Sequence, residues 1–229
     1  VFPLSNQDGE GVQALADYLQ SLSTQQETRV DEGYFRLSID RSFNLKGSGL
    51  VVTGTAAAGK LKIGDKLILM PQQSEMRVRS LHVQDQQAEI ARAGQRCAIN
   101  VVGELDKSDI NRGDWLVAAP NPQLSRRIDA DFQLLADLAF PLKHLSPVRF
   151  HLGAKRVAAK VYLLDDMHEK NQLQAGGTAR VQLILDEPVS CVTGERFLLR
   201  DDSESFTLGG GRILDPMAPQ SGKATQQRL

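Results

Sequence analysis

Gly54-Thr55-Ala56-Ala57-Ala58-Gly59-Lys60-Leu61, GTAAAGKL, decides between two folds. Through Lys60 it follows the phosphate-binding signature G-x-x-x-x-G-K-[ST], which would put a strand before it, a helix after it and a nucleotide in its loop. The last position argues against that reading. Leu61 has no hydroxyl for a magnesium ion, and a phosphate loop needs a helix beginning at the lysine so that successive N–H groups face the phosphates. The continuation Lys62 to Leu69 instead alternates and turns at Gly64-Asp65, as strands do. The stretch therefore reads as a strand, a turn at Gly59 and a second turn at Gly64-Asp65.

The same style extends in both directions. Phe35 to Asp40 alternates, Leu50-Val51-Val52 follows the turn Gly47-Ser48-Gly49, and Met76 to Leu81 alternates with arginines on one face. Gln95 to Val102 and Asp114 to Val117 complete a set of short strands with Gly-Asp turns, the pattern of a barrel or sandwich. Pro120-Asn121-Pro122 breaks the chain. Beyond it, Arg127 to Leu135, Val148 to Leu152, Arg156 to Leu163, Ala179 to Leu185, Arg196 to Leu199 and a closing element from Thr207 to Pro216 repeat the pattern. Upstream, Val12, Leu15 and Leu19 recur at helical spacing in one short amphipathic helix ending near Ser21, followed by a polar linker, Ser23 to Thr28. The expected architecture is mainly β: two tandem antiparallel β-barrels, residues 31–121 and 122–217, preceded by one short α-helix within residues 1–30 and followed by a tail, 218–229.

Composition narrows the function. At 229 residues two domains of about 100 residues each are comfortable. The net charge of −1 announces no nucleic acid, so any basic face must be local. Cys97 and Cys191 lie far apart in strand-like surroundings, which suits free thiols in a reducing, cytoplasmic setting. No apolar run approaches the length of a membrane span. His82, His144, His151 and His168 show no metal-ligand spacing, no G-x-S-x-G elbow occurs, and the carboxylates form no recognisable pair, so no enzyme is expected in this segment. Gly209-Gly210-Gly211 reads as a kinked strand or bulge ahead of a phosphate nest. Arginine recurs at strand positions, among them Arg36, Arg41, Arg77, Arg79, Arg96, Arg127, Arg149, Arg156, Arg196, Arg200 and Arg212. Two readings stand level: contacts to an RNA backbone, or solvated faces paired with acids such as Asp40, Asp129 and Asp131.

Tyr34 to Gly59, YFRLSIDRSFNLKGSGLVVTGTAAAG, resembles the opening of the second domain of translational GTPases of the elongation factor Tu type, and among them the bacterial selenocysteine-specific elongation factors. Ala93-Gly94-Gln95-Arg96, the strand after it and Asn111 to Leu116 are similar to the rest of that domain. Gly194 to Arg200 and Gly209 to Pro216 resemble the third domain of the selenocysteine factors, and Phe2 to Gly11 the last loop and helix of the GTPase domain. The resemblance implies a segment cut from a longer protein, with the GTP and magnesium site upstream of Val1 and the domains that bind the mRNA selenocysteine-insertion hairpin downstream of Leu229.

It also implies a role. Such factors deliver selenocysteyl-tRNA to the ribosome, and Asp40, Arg41 and Arg96 match the positions lining their aminoacyl pocket, where two guanidiniums would attract a selenolate and Asp40 would orient an arginine or accept from the α-amino group. The resemblance implies no cofactor and no catalysis in the segment itself. The competing reading is a structural or protein-interaction double barrel that keeps the architecture without selenocysteine specificity.

Overall fold

The computed structural model describes residues 1–25, 33–47, 49–120, 122–164 and 171–220. His168, residues 26–28 of the polar linker, Ser48, Asn121 and the tail from 221 lie outside the described residues. The chain forms two compact units, Val1–Val30 and Asp31–Leu229.

The first unit carries the one α-helix among the described residues, α1 (Val12–Gln25). It runs a turn further than the apolar spacing predicts. Ser21, Ser23 and Thr24 do not stop it, because each hydroxyl donates to a carbonyl three residues earlier, at 2.7, 2.8 and 2.8 Å. Phe2 packs on Tyr18 with ring centroids 4.9 Å apart.

The second unit holds two closed antiparallel barrels. Strands β1 (Arg36–Leu45), β2 (Gly49–Ala58), β3 (Lys60–Lys62), β4 (Lys66–Met70), β5 (Ser74–Val83), β6 (Gln86–Ala88), β7 (Ile90–Arg92), β8 (Arg96–Gly103) and β9 (Trp115–Val117) come first. The order β4-β9-β1-β2-β8-β5 closes because β4 also pairs with β5, leaving β6 as an added strand on β5. Leu37, Ile39, Val52, Leu67, Leu81, Ile99 and Leu116 fill the interior.

The opening stretch takes its strand reading. Gly59 sits at φ +67 between β2 and β3, where a Cβ would come within 2.5 Å of the Phe35 backbone nitrogen, so the position demands glycine. Leu61 points into the core with no exposed surface. No helix follows the lysine, and the nucleotide loop has no place here. In β5, Met76 and Val78 face inward, but strict alternation would then turn Ser80 inward. A register shift between Val78 and Ser80 restores Leu81 to the core.

The second barrel runs β10 (Ser125–Leu134), β11 (Leu142–Lys143), β12 (Pro147–Leu152), β13 (Lys155–Leu163), β14 (Gln172–Leu173), β15 (Thr178–Val189), β16 (Arg196–Asp201) and β17 (Thr207–Asp215). It closes as β10-β15-β13-β12-β16-β17, with β11 and β14 paired to each other. Phe150 packs on Phe197 at 5.4 Å between centroids, and Phe132 lies 6.4 Å from the same ring. The triple glycine is a strand. A Cβ on Gly211 would lie 2.0 Å from the Asp131 carbonyl oxygen and 2.7 Å from the Phe197 ring, so the missing side chains make room for the aromatic core.

The barrels meet through Arg36. Its guanidinium donates to Glu195 Oε2 at 3.1 Å and to the Ser190 carbonyl at 3.2 Å, and lies 4.3 Å above the Trp115 ring. Lys155 adds a second tie, 3.7 Å from the buried carboxylate of Asp114. Much of the arginine inventory is likewise engaged within the protein: Arg127 with Gln182, Arg149 with Asp202 and Arg156 with Glu204.

Candidate functional site on the outer face of the first barrel

Asp40, Arg41 and Arg96 come together on the outside of the β1-β2-β8 sheet. Side chains of a strand alternate between faces, so Asp40 and Arg41, adjacent in sequence, should point opposite ways. The register prevents this. Ile39 pairs with Gly54 and Arg41 with Thr53, so two steps on β1 oppose one on β2, and Asp40 is the extra residue of a bulge. Ile39 stays in the core while Asp40 and Arg41 both reach the outer face.

Arg96 arrives from β8. It pairs with Thr55, and Ala98 pairs with Thr53, so Arg96, Ala98, Thr53 and Thr55 share the outward side, while Cys97, Val52 and Gly54 face in. Arg96 Nη1 donates to Asp40 Oδ2 in a short ion pair. Thr53 Oγ1 donates to the other carboxylate oxygen, Oδ1, at 2.6 Å. Partial burial by itself would raise the Asp40 carboxyl. Hydrogen bonds from Arg96 and Thr53, with the charges of Arg96 and Arg41, outweigh it and hold the group below the usual carboxylate value. The Asp40 hydrogen bond and charge push the Arg96 guanidinium upward in turn. Arg41 is exposed and close enough for its charge to act on Asp40, yet it makes no hydrogen bond or ion pair among the described residues. Asp85 also acts on Arg96 through its charge, so the two cations face two anions, and Arg41 is the cation left without a hydrogen bond or ion pair among the described residues.

Sequence reasoning missed Thr53. It lies within the quoted string, but nothing in the string tells which barrel face it occupies. Arg36 was counted among the strand arginines facing RNA or solvent, and it is instead the buried tie between the barrels. Of the histidines, His144 accepts a hydrogen bond from the Leu163 backbone at 3.2 Å, a structural role. Among the described residues no group of histidine, cysteine and carboxylate side chains is placed to hold a metal ion.

Comparison with known proteins bears on the architecture. The family described as elongation factor Tu domain 2 matches residues 49–117, and the selenocysteine-specific elongation factor beta-barrel domain matches 129–220. The selenocysteine-specific elongation factor of Escherichia coli is 38% identical over 97% of the chain. The chain belongs to the selenocysteine-specific elongation factors. The Desulfomicrobium baculatum selenocysteine-specific elongation factor is 35% identical over 95% of the chain. The chain spans about a third of the length of these two selenocysteine-specific elongation factors, 33% of each. Among solved structures, translation elongation factor SelB from Methanococcus maripaludis in its apo form superposes with a TM-score of 0.81 at 26% identity, covering 95% of the chain and 50% of that protein. A bacterial selenocysteine-specific elongation factor superposes at 0.80 and 22% identity, covering 96% of the chain and 34% of that protein, a likeness of fold.

Proposed function

We propose that the outer face bearing Asp40, Arg41 and Arg96 receives the aminoacyl end of selenocysteyl-tRNA, in a protein that carries it to the ribosome as a GTP- and magnesium-dependent factor of the cytoplasm. The mRNA selenocysteine-insertion hairpin belongs to domains beyond this segment. The observation that carries the reading is an uncommitted guanidinium, Arg41, beside a second one held by a carboxylate, on one face of the barrel.

The chemistry suits a selenolate. A selenol is more acidic than a thiol, whose ordinary pKa is about 8.5, so it is an anion at neutral pH where the hydroxyl of seryl-tRNA is neutral. A unit charge pair at about 4 Å and an effective dielectric of 20 gains about 4 kcal/mol before desolvation. Arg96 already spends part of its field on Asp40, so Arg41 supplies most of the attraction. A remainder of about 2 to 3 kcal/mol corresponds to roughly 30- to 140-fold preference for the anion. Replacing Arg41 with Ala in the full-length factor should bring the affinities for selenocysteyl-tRNA and seryl-tRNA together while GTP still binds. A ratio equal to that of the unaltered factor removes this surface from the pocket.

A further inference from the structure

A carboxylate between two guanidiniums ordinarily takes both, one on each oxygen, since charge-assisted pairs are the strongest hydrogen bonds on offer. Asp40 does not. Its Oδ2 holds Arg96, but its Oδ1 accepts from the Thr53 hydroxyl at 2.6 Å, and Arg41, next in the chain and on the same face, makes no hydrogen bond or ion pair among the described residues, only a longer-range attraction to Asp40. We infer that Thr53 is a specificity-positioning residue: with Arg96 on the other oxygen, its hydroxyl fixes the orientation of the Asp40 carboxylate toward β2 and β8 and so keeps Arg41 open to the anionic end of the substrate.

This inference rests on the reading of the pocket given above and adds a division of labour to it. Arg96 is the fixed cation, clasped by Asp40 and set by the β2–β8 pairing. Arg41 is the receptor. Thr53 touches no substrate in this scheme. It acts through Asp40, from the centre of a row in which Arg41 and Ala98 are its cross-strand neighbours. Without its hydroxyl, the carboxylate is free to turn until Oδ1 captures Arg41, and the surface pairs with itself. The incoming selenolate must then break an ion pair to bind, whereas a neutral serine side chain loses nothing by the change.

The test is a double-mutant cycle in the full-length factor, reading dissociation constants for selenocysteyl-tRNA and seryl-tRNA in the unaltered protein and in Thr53→Val, Thr53→Ser, Asp40→Asn and the Thr53→Val/Asp40→Asn pair. Valine keeps the β-branched shape of threonine in the strand, and serine keeps the hydroxyl. The expected result is a loss of about tenfold in selenocysteyl over seryl preference for Thr53→Val, the scale of one hydrogen bond to a charged group. Thr53→Ser should restore the preference, and Thr53→Val should add no loss once Asp40→Asn is already in place. A crystal structure of Thr53→Val should show the Asp40 carboxylate bridging Arg41 and Arg96. The inference is overturned if Thr53→Val keeps the native preference, if Thr53→Ser is as impaired as Thr53→Val, or if the loss persists in the Asp40→Asn background. Arg41→Ala, measured alongside, separates the two levels. Should Arg41→Ala lower the preference while Thr53→Val does not, the role of Thr53 falls alone. Should neither alter it, the pocket itself is wrong.

Discussion

Removing the Arg36 side chain tests what holds the two barrels together. Arg36→Ala deletes the ion pair to Glu195 at 3.1 Å, the hydrogen bond to the Ser190 carbonyl at 3.2 Å and the stacking over Trp115 at 4.3 Å. The side chains of the pair are only 8% and 15% exposed, so water cannot replace the lost partner fully. Breaking a buried ion pair by removing one member costs about 3 to 5 kcal/mol, because the other charge stays behind uncompensated. Glu195 keeps a hydrogen bond from the Val192 backbone at 3.1 Å, which places the electrostatic part near the low end. Stacking adds about 1 kcal/mol. Trp115, the one tryptophan of the sequence, sits at the joint and reports on it directly. In a urea titration followed by its fluorescence, a loss of about 4 kcal/mol at a slope of about 2 kcal/mol per molar shifts the midpoint down by about 2 M. Replacing both ends, Arg36→Met with Glu195→Met, should recover most of the shift, since an apolar pair needs no counter-charge. If Arg36→Ala moves the midpoint by less than about 0.3 M, corresponding to under 1 kcal/mol on the same slope, the pair is not what fastens the barrels.

Two further outcomes follow from burial. Leu61→Ser completes the phosphate-loop signature yet should bind no nucleotide in equilibrium dialysis with GTP, and it should lower stability in urea by about 3 kcal/mol or more because Leu61 is a fully buried core residue. Burial pushes the Cys97 thiol up to about 11. Burial, with the Glu195 charge adding to it and Arg36 opposing, pushes Cys191 up to about 12. A raised thiol pKa means less thiolate at a given pH: at pH 8 about one part in a thousand for the first and one in ten thousand for the second. Both should react slowly with a disulfide reagent in the native protein, Cys191 the slower, and at ordinary rates in urea. Fast native labelling of Cys191 would contradict the packing described around it.

Much of this molecule could be read from one dimension. Leu61 in place of a serine or threonine, the alternation of Phe35 to Asp40 and of Arg127 to Leu135, and the Gly-Asp turns are local facts. Burial on a pleated surface has period two, and a chain that alternates over short runs has few ways to hide its apolar side except by closing sheets on themselves. The candidate residues could be named from resemblance alone, Asp40 and Arg41 inside the long string Tyr34 to Gly59 and Arg96 at the end of the short stretch Ala93 to Arg96.

What no single stretch contains is register. Whether Asp40 and Arg41 share a face depends on a bulge created by pairing with β2, whether Thr53 meets Asp40 depends on the same pairing, and whether Arg96 reaches them depends on β8 lying against β2. Arg36 has the same chemistry as Arg41 and lies in the same strand five residues away, yet one is buried beneath the other barrel and the other is open to solvent. The amino-acid order by itself determined the strands, the turns and the supply of charges. Tertiary structure alone decided which charges were already answered, because an ion pair is settled by distances between strands far apart in the chain.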